Sequence, residues 1–271
     1  MTSGEQSYGF TIIEVLIVLA IGLGLLLAVI YYMSSDQNQT EFDTGLRQIY
    51  SQLQNINLDV SEGNYPTNSA NVCTEEDDAN PQFGTTPSNI GANLGCVFIG
   101  KVIQFMPNGS NATKYYVYSI VGNQFAAVGS PNPPSNLLAY DPIVLNSNSS
   151  ATDPPAGTQT VNLPNDFSVS KVGGPVGPGL IGFFNTSPSI SSNGSIGNEM
   201  VFLPQGADLT SYTAVTTYIN GDLPSEYNTN ASNVVKVCFK SSLEPNQFGV
   251  ITFQAQNDSS NITLSYASSC P

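Results

Sequence analysis

Gly9-Phe10-Thr11-Ile12-Ile13-Glu14-Val15-Leu16-Ile17-Val18-Leu19-Ala20-Ile21 is the stretch on which the fold turns. It leads into an apolar run that has no charged side chain from Val15 to Met33, where only Tyr31 and Tyr32 carry side-chain polar atoms. As a helix that run is roughly 28 Å long, close to the ~30 Å hydrocarbon core of a bilayer. The two tyrosines stand at its far end, where amphipathic rings favour the headgroup layer. A buried core helix is the alternative, but cores seldom need so long an uninterrupted stretch. The reading is a membrane-spanning helix.

A conventional secretory signal has a basic start, a shorter apolar region and a small-x-small cleavage site. Met1–Gly9 holds no Lys or Arg, its one charged side chain is Glu5, and no Ala-x-Ala site follows the apolar run. The distribution of positive charge does not orient the segment, because Asp36, Glu41 and Asp43 all precede the first basic residue, Arg47. Glu14 is a lone carboxylate near the start of an otherwise apolar helix. An unpaired ionised carboxylate in a bilayer costs a few kcal/mol on insertion scales, so such a group has a partner or a task. The plainer reading places it at the interface, snorkelling to water.

A small residue, then Phe10-Thr11, then a hydrophobic run holding one Glu closely resembles the class III leader of type IV pilins and of type II secretion pseudopilins. The resemblance covers about Gly9 to Tyr32. It implies that a membrane-embedded prepilin peptidase cuts between Gly9 and Phe10, releases Met1–Gly9 and methylates the new terminal Phe10. It also implies that Glu14 pairs with the Phe10 ammonium of an adjacent subunit during docking. Opposite charges attract strongly in a low-dielectric medium and each alone is costly, so such a pair fixes register. The resemblance further implies a single-pass inner-membrane protein before assembly, and an extracellular pilus or periplasm-spanning pseudopilus after it. The implied partners are the peptidase, like chains and other pilins in a helical filament, an inner-membrane assembly platform and the bilayer. Many pilins interrupt this helix with a proline; here Gly22 and Gly24 are the residues that could soften it.

Beyond a polar step at Ser34–Thr40, apolar residues recur at Phe42, Leu46, Ile49, Leu53, Ile56 and Val60. Spacings of alternately four and three make a helical seam, so the helix is expected to continue to about Glu62, where Gly63 and Tyr65-Pro66 end it. The seam needs a cover, and a later β-sheet is the natural one.

Short β-runs follow at 97–105, 114–121, 124–128, 180–184, 199–203, 212–219, 234–240, 248–254 and 262–266. Ser130–Pro178 is rich in Pro, Gly and Ser and reads as a loop-rich insertion or a link between two small sheets. The expected fold is α+β: a long N-terminal helix, membrane half plus amphipathic half, packed on an antiparallel β-sheet head in the manner of a pilin. The divisions are a leader at 1–9, an assembly helix at 10–33, an amphipathic helix at 34–62 and an exported head at 63–271 with an insertion at about 130–178.

Cys73, Cys96, Cys238 and Cys270 allow three pairings. Cys73–Cys96 and Cys238–Cys270 are favoured because each closes a local loop, and the second also resembles the disulfide-bounded C-terminal region of many pilins. A zinc site is the competitor, but there is no CxxC spacing and no histidine in the chain.

The chain has 271 residues, six Lys plus Arg and twenty Asp plus Glu, for a formal charge of −14. That balance supplies no basic footprint for nucleic acid. The lack of histidine removes the usual general base. Gly173–Gly179 is glycine-rich but lacks the Lys-Ser/Thr ending of a phosphate loop. The acidic run Glu75–Asp78 beside Asn80 lacks calcium-loop spacing and reads as solvated surface. Asn108, Asn111, Asn230 and Asn261 fit the glycan acceptor pattern, but in an Asn/Ser-rich chain they read as turns and polar surface. The tyrosines at Tyr115–Tyr118 and Tyr212–Tyr227 could stack on sugars, yet alternating tyrosines are ordinarily strand residues. The expectation is a structural filament subunit with no catalytic residue, cofactor or metal, serving adhesion, motility, DNA uptake or secretion. A membrane-anchored adhesin that never polymerises is the rival.

Overall fold

The computed structural model describes residues 11–62, 72–75, 81–84, 96–105, 112–123, 142–145, 158–164, 166–173, 180–185, 198–203, 212–221, 234–256 and 259–270. Its first element, α1 (Ile12–Ser61), is one helix of 50 residues. At about 1.5 Å per residue it is roughly 75 Å long. Phe42, Leu46, Ile49, Leu53, Ile56 and Val60 are all buried, so the seam read from the sequence is the face that packs on the head. Glu62 caps the helix, its N–H donating to the Leu58 carbonyl at 2.9 Å. The expected terminators Gly63, Tyr65 and Pro66 lie outside the described residues.

The head is built from antiparallel sheets, as expected for an α+β chain. β1 (Val72–Glu75) and β2 (Pro81–Gly84) form a hairpin of their own. β3 (Cys96–Gln104), β4 (Lys114–Asn123), β5 (Ile143–Val144), β6 (Thr158–Asn162), β8 (Leu180–Asn185) and β9 (Asn198–Leu203) make a six-stranded sheet. Its order is β5-β4-β3-β8-β9, with β6 sharing the outer edge of β4. β7 (Phe167–Gly173), β10 (Val234–Ser241), β11 (Phe248–Gln256) and β12 (Ser259–Ala267) make a four-stranded sheet, ordered β12-β11-β10-β7.

The inner faces of both sheets and the α1 seam share one core. It contains Phe105, Tyr115, Ile181 and Phe183 from the larger sheet, and Val237, Phe239, Ile251 and Phe253 from the smaller. Burying each such side chain contributes about 1.5–3 kcal/mol. The other face of the larger sheet carries Ile99, Val102, Tyr116, Tyr118, Ile120 and Phe184, and these form a second core. Tyr115, Tyr116 and Tyr118 are thus buried strand residues, and a sugar-stacking role for them is overturned.

The second core corrects one expectation. Residues 212–219 were expected to form a strand, and they belong to α2 (Tyr212–Gly221), a ten-residue helix. Val215, Tyr218 and Ile219, at i, i+3 and i+4, lie on one helical face and cover the outer side of the larger sheet. The β-branched and aromatic composition of this stretch favours a strand locally, but an uncovered apolar sheet face outweighs that preference. Among its described residues the stretch at 130–178, read as an insertion or a link, carries three strands: β5 and β6 join the larger sheet, and β7 joins the smaller. The expected strand at 124–128 lies outside the described residues.

α1 lies very close to the smaller sheet at Gly249 on β11. A Cβ built there would sit 2.3 Å from Leu46 Cδ1, so only glycine lets the seam seat fully. Gly249→Ala should therefore lower the unfolding free energy by about 1–3 kcal/mol through overpacking. Denaturant unfolding of the detergent-solubilised chain, with Leu46→Val added to restore space, checks the cause: the second change should recover part of the loss.

Candidate assembly site on the N-terminal helix

α1 divides by its surroundings. Residues 11–32 are exposed throughout, and among the described residues α1 is the one helix long and apolar enough to cross a membrane. Among the described residues no side chain of the head covers this half, and Ile12 and Tyr31, near its two ends, are each 83% exposed. A continuous apolar surface of this size is not stable in water and needs lipid or other apolar helices around it.

At the start of the helix, Thr11 is the N-cap and Glu14 occupies the third helical position. The Glu14 N–H donates to Thr11 Oγ1 at 3.4 Å, while Glu14 Oε2 accepts from the Thr11 N–H and the Thr11 hydroxyl, both at 3.3 Å. This is a reciprocal capping box, and the carboxylate also sits at the positive end of the helix dipole. The sequence carries the signature, Thr followed three residues later by Glu, but reading Glu14 as a charge awaiting another chain passes over it. Within its own chain the carboxylate already has donors, and it remains exposed, so an incoming cation would share it with the helix end. Gly9 and Phe10, the expected processing residues, lie outside the described residues.

The lower half of α1 is fixed to the head by polar contacts as well as by the seam. Asp43 accepts from the Tyr266 hydroxyl of β12 and pairs with Arg47 one turn on, Nε to Oδ2 at 2.9 Å. The Tyr50 hydroxyl donates to the Ile262 carbonyl at 3.1 Å, tying the same strand to the helix. The Tyr115 hydroxyl reaches Gln52 Oε1 at 3.4 Å, and burial pushes its phenol pKa up, so it remains a donor.

Lys101 on β3 donates to Asp59 Oδ2 at 2.6 Å, with the lysine side chain nearly buried and the aspartate partly exposed. A bulge between Phe98 and Gly100 causes this contact. It changes the phase of the strand, so that Phe98 and Ile103 face the helix-side core while Ile99 and Val102 face the second core. Lys101, two residues before Ile103, thereby points at α1. A Cβ at Gly100 would stand 2.1 Å from the Phe183 carbonyl oxygen, so glycine is required at the bulge.

The structure joins Cys238 to Cys270, as the sequence reading favours, and ties the middle of β10 to the residues after β12. On a chain-entropy account a bridge across a separation of 32 residues contributes about 3–4 kcal/mol. Cys73 and Cys96 stand in β1 and β3, and the pairing expected for them lies outside the described residues. The same is true of Asn80, Asn108, Asn111, Asn230, Tyr227 and the acids after Glu75. Asn261 is exposed on β12.

Compared with protein families, curated proteins and solved structures, the chain gives no match.

Asp59→Ala removes the partner of a nearly buried ammonium, and should cost about 1–3 kcal/mol of stability. Combining it with Lys101→Met, which replaces the orphaned charge by an apolar chain of similar length, should restore most of that loss. Urea unfolding of the single and double variants measures the difference.

Proposed function

We propose that this chain is a prepilin-like filament subunit, held in the inner membrane by the upper half of α1 and polymerised through it after cleavage between Gly9 and Phe10. The observation that carries the reading is the division of one 50-residue helix into two environments. The seam residues Phe42, Leu46, Ile49, Leu53, Ile56 and Val60 are buried in the chain's own head, while Ile12 to Tyr32 are exposed along their whole length. A bilayer satisfies that exposed half before assembly, and a bundle of like helices would satisfy it afterwards. Such an exchange replaces lipid contact by helix packing at little hydrophobic cost.

Glu14 supplies the register. Its carboxylate lies at the end of the exposed half, held to its own helix by Thr11. Docking brings the new Phe10 ammonium of a neighbouring chain to that carboxylate, and each charge is satisfied only when the subunits are in step. The head then forms the filament surface, serving adhesion, motility, DNA uptake or, as a pseudopilin, secretion. The peptidase, other pilins and an assembly platform are the partners of this reading.

The capping box allows the two duties of Glu14 to be separated. Gln serves the third helical position nearly as well as Glu, so Glu14→Gln keeps the cap and removes the charge. Filament incorporation by this variant should fall roughly tenfold or more, because one charge is left buried without its partner. Thr11→Ala should weaken the helix end by about 1 kcal/mol and leave incorporation largely intact. Mass spectrometry of the mature chain should find N-methyl-phenylalanine at Phe10. An intact Met1 in the surface-exposed protein, with Glu14→Gln without effect, would instead identify a non-polymerising anchored module.

A further inference from the structure

Asn261-Ile262-Thr263 on β12 fits the acceptor pattern for an N-linked glycan, an Asn two residues before a Thr with no Pro between them. In an Asn/Ser-rich chain such triplets arise by composition, so the surroundings of each one decide. This one stands inside a strand and not in a turn. Alternation along β12 turns Ile262 into the helix-side core, 7% exposed, and leaves Asn261 and Thr263 exposed on the opposite face. Ser265, the next residue on that face, donates back to the Val250 carbonyl at 3.4 Å. Asn261 and Thr263 make no side-chain hydrogen bond among the described residues. Asn261 is also clear of the place where the chain end crosses this face to reach Cys238. Cys238 pairs with Val250 and Val250 with Ser265, and Asn261 is four residues from Ser265, about 13 Å along the strand. By contrast, the triplet Asn38-Gln39-Thr40 lies within α1, with Asn38 half-buried.

We propose that Asn261 is an N-glycan acceptor, modified on the exported side of the membrane by a transferase that draws on a lipid-linked oligosaccharide. The Cys238–Cys270 bridge closes a loop that contains Asn261, and structural disulfides persist in oxidising compartments outside the cytosol. The upper half of α1 anchors the acceptor in the same membrane as the lipid-linked donor. In the transfer, Asn261 Nδ2 forms a bond to the anomeric carbon of the sugar, and the bond from that carbon to the phosphate oxygen of the lipid carrier breaks. The electron pair leaves with the phosphate, and one amide proton passes to a base of the transferase. The fold gives the sugar a use. β12 is the outermost strand of the smaller sheet, and its nine residues hold no charge and no Pro. Its register with β11 runs without a shift. Such an edge is a template for pairing with another chain unless something covers it. Tyr50 takes the Ile262 carbonyl from the α1 side, and a bulky hydrophilic group on Asn261 covers the other. The inference needs export of the head and does not rest on polymerisation.

The test uses the full chain extracted, unassembled, from the membranes of the cell that makes it. Lys240 is the last basic residue, so trypsin leaves Asn261 within one peptide, Ser241–Pro271. After reduction, mass spectrometry of that peptide should find added hexose or N-acetylhexosamine, and electron-transfer fragmentation should place it on Asn261. N261Q and T263V should each lower the sugar-bearing form at least tenfold, while T263S, which keeps the hydroxyl, should retain it. Both side chains are exposed, so the variants should fold, and the Cys238–Cys270 bridge counted in an unreduced digest checks that they do. Three results would overturn the proposal: a bare peptide in the wild type, sugar that survives in N261Q on Asn257 or on a hydroxyl, or sugar retained in T263V. A bare peptide from a chain that still carries N-methyl-phenylalanine at Phe10 would remove the acceptor and leave the filament reading standing.

Discussion

The seam from Phe42 to Val60 is the contact on which the remainder of the molecule depends. Six buried side chains on one stripe of α1 close the inner faces of two antiparallel sheets at once. Neither sheet could bury that face alone, and the helix could not bury its stripe without them. Because α1 continues unbroken from Ile12 through the seam, the head also holds the exposed apolar half rigidly at one end. The same covalent helix thus faces two environments, and the boundary between them is set by where the seam begins.

Polar groups specify how the helix is seated. Lys101 reaches Asp59 because a bulge at Gly100 reverses the facing of β3, and Tyr50 and Tyr266 fasten β12 to the helix from the other side. These contacts add direction to a hydrophobic interface that has none of its own. Gly249 removes the one side chain that would keep Leu46 from closing against β11. The Cys238–Cys270 bridge then holds the end of the chain to the middle of the sheet that the helix covers.

On the proposed reading Glu14 combines two electrostatic roles in one carboxylate. In the single chain it completes a cap with Thr11 at the positive end of the helix. On the proposed reading it also receives a neighbour's ammonium. The roles are compatible because a carboxylate has two oxygens and about four acceptor positions, and both donors from Thr11 converge on one oxygen.

Local periodicity alone fixes the long helix, its two halves, its end near Glu62 and the face it buries, because a 3.5-residue spacing sustained over six apolar positions has no other regular solution. Most of the strands are legible for the same reason, since alternation over five or more residues is a local property. The capping box is legible too, in Thr11 followed three residues later by Glu14. Residues 212–221 were not legible: Val215, Tyr218 and Ile219 fit a helix while the β-branched composition fits a strand, and the tie is broken by a sheet face elsewhere in the chain that needs covering. Strands within 130–178 were hidden by flanking Pro and Gly, because their pairing partners lie far away in sequence. The bulge that aims Lys101 follows from register between distant strands. Hydrogen-bond pairing across tens of residues is a property of the assembled sheet, and it leaves no periodic trace in either strand alone.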